Sequence, residues 1–189
     1  IIARRLSRTV PLHDHQYAFR ARRGTANALF NLTTTIRSRK AAKHGTFVFF
    51  LDARKAYDTV PHAALMARLA GKGVTGKLWR VVDSMYGRAR NKVTVDGVCS
   101  EAFAVGRGVA QGCPLSPFLY DVFTDSLLDA VHLDTPDDGI QEPGTLDLPA
   151  AALAGQSYAD DMAGVSGTAA GLQRIIDRGH GYAADGNVY

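Results

Sequence analysis

Cysteine is scarce in this sequence and poorly placed for chemistry. Only two of the 189 residues are cysteines, Cys99 and Cys113. They form no CxxC pair and have no histidine at ligand spacing, which argues against a structural zinc site and a disulfide-stapled scaffold. Reduced thiols in an intracellular protein are the expectation. The six histidines form no HExxH or comparable pattern, so a histidine-based metallohydrolase is not indicated. Long apolar runs are missing too. None approaches the roughly 20 residues needed to span a bilayer and no secretory leader is recognisable, so no membrane partner is expected. Repeats and low-complexity tracts are absent. The chain opens on Ile1 without a methionine and closes on "GNVY" with no stop signal, which reads as a piece of a longer polypeptide.

Acidic residues are nearly absent from the first quarter of the chain. Residues 1–50 carry ten Lys/Arg against one acid, Asp14, whereas residues 129–189 carry Arg174 and Arg178 against ten acids. A basic front half suits a polyanion, because clustered cations gain from counterion release at phosphates. A solvated basic surface is the plainer alternative, and charge alone does not choose between them. The hydrophobic fraction of 46% and the charged fraction of 21% are those of a folded domain with a real core.

Local patterns supply the elements. Ala28, Leu29, Leu32 and Ile36 recur at helical spacing over 25–43, with Thr25 as the expected N-cap and Gly45 as the stop. "TFVFFLD", 46–52, is β-branched and aromatic and too short for a helix; a fully buried strand is expected. A short helix is expected over 61–69, stopped at Gly71 or Gly73, and a second one capped by Thr75 with Leu78, Trp79, Val82, Met85 and Tyr86 along it. Asp96-Gly97 separates two β-prone runs and favours the positive φ angles of a type I′ hairpin turn. From Ser116-Pro117 onward, Phe118, Leu119, Val122, Phe123, Leu127, Leu128 and Val131 form one helical stripe, and proline suits a first helical turn. The Asp/Pro/Gly/Thr-rich segment 132–150 is expected to be a surface loop.

The chemistry gathers on "GQSYADDMAGVS", 155–166. Two short apolar runs flank Asp160 and Asp161, which places the acidic pair in the turn of a hairpin. Aspartate is at home in exposed turns, so the pair alone has a bland explanation. Asp52 changes the weighing, since it ends the most apolar strand and a carboxylate there is costly without a cation. If that strand and the hairpin are neighbours in one sheet, three carboxylates separated by 108 residues of chain converge. They cannot all remain ionised without a counter-charge, and hard divalent cations with oxygen ligands, magnesium above all, supply it. Two such ions about 3.5–4 Å apart are the apparatus of in-line phosphoryl displacement.

These residues also carry a resemblance. "FLDARKAYDTVPH", "GVAQGCPLSPFLY" and "YADD" resemble three consecutive signature blocks of reverse transcriptases, and "QYAFRARRGTANAL" resembles the block before them. The wording is most similar to the non-LTR (LINE-like) retrotransposon branch, and the similarity runs from about Arg5 to Tyr189 in the family order. The resemblance implies an α+β fold of right-hand polymerase type: an antiparallel palm sheet backed by helices, fingers over about 1–27 and 60–112, palm over about 28–59 and 113–189, and no thumb. It implies RNA-directed DNA polymerase activity, with an RNA template, a DNA primer and dNTPs as partners and two Mg²⁺ ions, or Mn²⁺ in their place, as cofactors. A catalytically inactive RNA-binding remnant and an RNA-directed RNA polymerase are the alternatives. A nuclear or cytoplasmic ribonucleoprotein location follows if the source is a eukaryotic element.

By the same resemblance Asp52 and Asp160 are the principal metal-binding carboxylates, Asp161 completes the acidic pair, and the backbone carbonyl of Ala53 joins them. Tyr57 takes the position of a ring beneath the incoming sugar, where it would collide with a 2′-hydroxyl; a plain core aromatic is the alternative. Gln111 and Gly112 match the loop over the incoming nucleotide, where glycine permits close backbone approach. Arg20 and Arg23 correspond to cations that grip the triphosphate, with Arg22 able to substitute because "RARRG" permits one-residue slips. Cys113 has no local histidine to activate it and is expected to be a small packed side chain.

Overall fold

In a computed structural model, the structure describes residues 1–133, 138–142 and 151–183. Two compact units divide the chain: Ile1–Pro11 with Lys55–Phe123, here unit 1, and Leu12–Arg54 with Thr124–Tyr189, here unit 2.

Unit 1 opens with α1 (Ile2–Thr9) and continues after residue 54 with α3 (Ala56–Thr59), α4 (His62–Gly71) and α5 (Gly76–Gly87). Pro61 is the N-cap residue of α4 and Gly73, at φ +83°, follows its end, so the proline–glycine punctuation sets this helix as expected. Thr75 precedes α5, whose Val82 and Tyr86 are buried. Met85 is 44% exposed, and the indole N–H of Trp79 donates to the Met66 carbonyl at 3.2 Å, tying α5 to α4. Four two-residue strands follow: β2 (Arg90–Asn91), β3 (Thr94–Val95), β4 (Val98–Cys99) and β5 (Phe103–Ala104). Asp96 and Gly97 both have positive φ, +50° and +80°, as a type I′ turn between β3 and β4 requires.

The core of unit 2 is a three-stranded antiparallel sheet in the order β1-β9-β8, where β1 is Phe47–Asp52, β8 Gly155–Tyr158 and β9 Asp161–Ser166. Helix α2 (Thr25–Ala41) packs Leu32 with Leu153, Ala163 and Val165. Residues of α6 (Ser116–His132) and α7 (Ala169–Tyr182), namely Leu128, Val131 and Ile175, pack with Met162. The stripe expected on α6 is buried at Phe118, Leu119, Val122, Phe123, Leu128 and Val131. Thr168 caps α7 by accepting from the Gly171 amide at 3.0 Å, a start signal the sequence reading passed over.

Four expectations are corrected. The N-cap of α2 is Gly24, and Thr25 is already helical. Strand β1 is not fully buried: among the described residues it pairs on one side only, with β9, and Phe50 is 76% exposed. The segment expected as a surface loop contains β6 (Ile140–Glu142), which pairs with β7 (Ala151–Leu153). Its Asp138 is buried, ion-paired to Arg174 and Arg178 at 2.5 and 2.8 Å, with its pKa lowered mainly by the hydrogen bond from Arg174. Positions 134–137 and 143–150 of that expectation lie outside the described residues. Finally, the hairpin turn is Ala159-Asp160; Asp161 is the first residue of β9.

Candidate active site

The acidic residues meet through strand register. Asp52 at the end of β1 lies directly opposite Asp161 at the start of β9, and Tyr158 on β8 lies opposite Asp161 on the other side. Directly opposed residues project from the same face with Cβ atoms about 5 Å apart. Asp160 is half-buried in the two-residue turn beside them, and Asp52 and Asp161 are exposed. Exposure removes the desolvation argument for Asp52, but repulsion between opposed like charges remains. None of the three makes a salt bridge to a described residue.

The turn that presents Asp160 is held in an uncommon conformation. Ala159 has φ +56°, in the left-handed region that costs an L-residue about 1–2 kcal/mol. The Ser157 hydroxyl donates to the Ala159 carbonyl at 3.3 Å and steadies it. Behind the turn, β8 is fixed from two directions. The Gln156 amide donates to the Ala28 carbonyl of α2 at 2.9 Å. Residues 15–17 lie parallel to β8: the Ser157 amide donates to the His15 carbonyl, and the Tyr17 amide to the Ser157 carbonyl, both at 2.9 Å.

Arg20 and Arg23, expected to grip a triphosphate, are engaged inside their own segment. Arg20 donates to the carbonyls of His13 and Gln16 at 2.7 and 3.0 Å, and Arg23 pairs with Asp14 at 3.2 Å and also donates to its carbonyl. Arg22 is exposed, has φ +63°, and makes no hydrogen bond to a described residue. The sequence reading also missed a histidine cluster in which His15 is buried and His13 and His132 are half-buried. His13, His15 and His132 have ring centroids 4.4–5.5 Å apart, with His15 and His132 stacked at 5°. No local signal links residues more than a hundred positions apart. The pKa of His15 is lowered to about 4, chiefly by burial and then by His13; that of His132 is lowered to about 3, again chiefly by burial.

In unit 1, Tyr57 is half-buried with its ring stacked on Tyr120 at 5.1 Å and 9°. Gln111 and Gly112 are exposed, Gly112 at φ +80°. Gln111 lines a cleft of about 380 Å³ together with Asp58, His62, Tyr86, Asn91 and Arg107. Cys99 and Cys113 are both free thiols.

As metal ligands, the acids supply an all-oxygen set suited to a hard cation. Among the described residues, no group of three or more His, Cys, Asp or Glu side chains is gathered closely enough to hold an ion. Magnesium does not require one: it usually binds through one or two carboxylates, with waters and substrate phosphates completing its shell. The opposed Asp52 and Asp161 fit that requirement, and a cation would relieve their repulsion.

A strand ending in Asp52 thus pairs with a hairpin that carries Asp160 in its turn and Asp161 at the start of its second strand. The family profile described as "Reverse transcriptase (RNA-dependent DNA polymerase)" matches residues 1–185, and the chain belongs to that family. Its relatives are non-LTR retrotransposon polyproteins. It is 33% identical over 129 residues, 68% of this chain, to the Retrovirus-related Pol polyprotein from type-1 retrotransposable element R2 of Popillia japonica. It is 29% identical over 186 residues, 95% of this chain, to the RNA-directed DNA polymerase from mobile element jockey of Drosophila melanogaster. The chain spans only 18% and 19% of the length of those two polypeptides. The fold is similar to that of telomerase from Candida tropicalis, with a TM-score of 0.64 and 14% identity over 93% of this chain and 29% of that one.

Proposed function

We propose that this chain carries the nucleotidyl-transfer centre of an RNA-directed DNA polymerase from a non-LTR retrotransposon, extending a DNA primer with dNTPs on an RNA template. The observation that carries the proposal is the register that sets Asp52 opposite Asp161, beside Asp160, in a member of the reverse transcriptase family.

Asp52, Asp160 and Asp161, with the Ala53 carbonyl, would hold divalent metal, two Mg²⁺ ions in the full reading. Bound there, the metal supplies Lewis-acid charge that activates the primer 3′-hydroxyl and neutralises the departing pyrophosphate. The chain's own part is positioning. Register fixes the spacing of the carboxylates, and the Ala159 conformation aims Asp160. The Tyr57 ring, stacked on Tyr120, would bar a 2′-hydroxyl, and Gln111 and Gly112 would contact the incoming nucleotide. Unit 1 favours a polyanion, with twelve Lys/Arg against five Asp/Glu, whereas unit 2 has ten against thirteen. Arg20 and Arg23 of the "RARRG" run, with Arg22 able to substitute, would grip the triphosphate; Arg20 Nη1 and the Arg23 Nη atoms would have to exchange their present partners within the segment to do so. We retain fingers over about 1–27 and 60–112 and palm over about 28–59 and 113–189 as functional assignments.

The test is primer extension on an RNA template by the full-length protein, wild type against Asp52→Asn and Asp160→Asn. Each substitution is expected to lower Mg²⁺-dependent extension by on the order of a thousandfold. Extension that survives both would refute the metal-binding role. RNA binding without extension in the wild type would refute the polymerase reading.

A further inference from the structure

Segments 57–62 and 106–109 of unit 1 are zipped together by a short run of hydrogen bonds. The Val109 amide donates to the Tyr57 carbonyl at 2.8 Å, the Gly108 amide to the Val60 carbonyl at 2.8 Å, and the His62 amide to the Gly106 carbonyl at 3.0 Å. Pro61 and Arg107 form an antiparallel bridge between them. Gly108 has φ +92°, and a Cβ there would sit 3.3 Å from the Asp58 carbonyl oxygen, so the approach is close enough to favour glycine. One side chain closes this seam. His62 Nε2 lies 2.8 Å from the Gly108 carbonyl oxygen, and because that oxygen can only accept, Nε2 carries the proton and donates. The ring is buried and edge-on to Tyr86, at 4.9 Å and 61°.

The seam joins two stretches to which the proposed function gives the same ligand. Tyr57 opens one side, and the other runs directly from Val109 into Gln111 and Gly112. Both of those are exposed, and the turn that carries them is closed by the Cys113 amide donating to the Ala110 carbonyl at 3.2 Å, so the seam at Gly108–Val109 is the anchor on its N-terminal side. We propose that His62 is a positioning residue for nucleotide selection: its Nε2–H bond to Gly108 sets the Gln111–Gly112 loop relative to Tyr57. This rests on the polymerase reading above. His62 touches no reacting atom and acts through the loop. Loss of the donor leaves a carbonyl at the seam without its bond and frees the loop, which is felt first in binding and sugar discrimination.

Two substitutions separate donor from ring. His62→Gln keeps an amide N–H at the reach of Nε2 and discards the ring; His62→Phe keeps a ring against Tyr86 and discards the donor. Two measurements are made on each full-length protein. Hydrogen exchange over 105–113 reads the seam with or without activity, and single-nucleotide extension reads KM, kcat and the dNTP/rNTP ratio. Positioning by hydrogen bond predicts faster exchange in the Phe variant, about a tenfold rise in KM for dNTP with kcat changed much less, and a lower dNTP/rNTP ratio. It predicts near wild-type behaviour in the Gln variant. The inverse order, Phe intact and Gln impaired, would make His62 a packing residue and overturn the inference. Faster exchange in the Phe variant with unchanged nucleotide kinetics would overturn it equally. Absence of extension in the wild type would refute the polymerase reading and take this inference with it, a failure distinguishable from the other two.

Discussion

Lowering the pH from 7.5 to 5 should destabilise this chain by a predictable amount through two of its histidines. His15 and His132 are held neutral in the folded state, with pKa values lowered from the ordinary 6.5 to about 4 and about 3. Burial is the main cause for each, and the neighbouring His13 adds to it, opposed at His15 by Asp14. The nearby Arg23 and Arg178 also disfavour a charged ring at His15 and His132 respectively. Geometry agrees with neutrality. His132 Nδ1 donates to the Leu128 carbonyl at 2.8 Å while its Nε2 accepts from the Ala154 amide at 3.3 Å, a role an imidazolium could not fill. His15 Nδ1 is buried and finds no hydrogen-bond partner among the described residues. The unfolded chain therefore binds more protons than the folded one between the two sets of values, and stability rises with pH there. This contribution is fully present above pH 6.5 and is lost as pH falls below it. At pH 5 both rings are still mostly neutral when folded, so the loss depends on the unfolded value and is about 2 kcal/mol for each histidine, about 4 kcal/mol together. That is a large share of the roughly 5–15 kcal/mol holding an ordinary domain folded. Asp138 does not confuse the window. Its pKa is lowered by its arginines, so its contribution is lost only as pH falls below the ordinary 3.8. Urea unfolding at pH 7.5, 6.5, 5.75 and 5 measures the effect, and His15→Leu should roughly halve the difference between the end points. A flat profile from 7.5 to 5, or a His15→Leu profile as steep as wild type, would refute the reasoning.

Two further outcomes follow from the sheet of unit 2. A Cβ on Gly164 would fall inside the Phe49 ring, and ring and strand are both packed, so Gly164→Ala should cost about 1–3 kcal/mol by urea denaturation; a change under a few tenths would show that β1 shifts freely on β9. Asp52→Asn removes one of two opposed charges and should raise the Tm slightly even as it lowers extension by on the order of a thousandfold, and a lowered Tm would mean that Asp52 has a stabilising partner.

What could be read from the sequence was what is decided locally, together with one long-range pairing. The Asp96-Gly97 turn was legible because two successive positive φ angles are a property of the dipeptide, and helix α6 because seven apolar positions share one face of a regular period. The neighbourhood of Asp52 and the acidic hairpin was inferred from cost, since acids beside apolar runs need a reason to be there, and the pairing of β1 with β9 bears that out. The cost itself was misjudged. "FVFFLD" reads as a buried strand, yet whether a strand has neighbours on both sides is decided by chain elsewhere, and here Phe50 and Asp52 both reach solvent. The acids are therefore not driven together by burial. They are set opposite each other by a register that the apolar residues of β1 and β9 impose, because a one-residue slip would carry Ala163 and Val165 away from Leu32 and Leu153, and Met162 away from Leu128 and Ile175. The seam at His62 and the histidine cluster were illegible for a related reason. Each is a contact between segments 46 or more positions apart whose members look unremarkable alone, a histidine after a proline and a histidine ending a helix. In this chain the apolar pattern sets the sheet, the sheet sets the spacing of the acids, and isolated polar side chains then hold the loops that the pattern leaves undetermined.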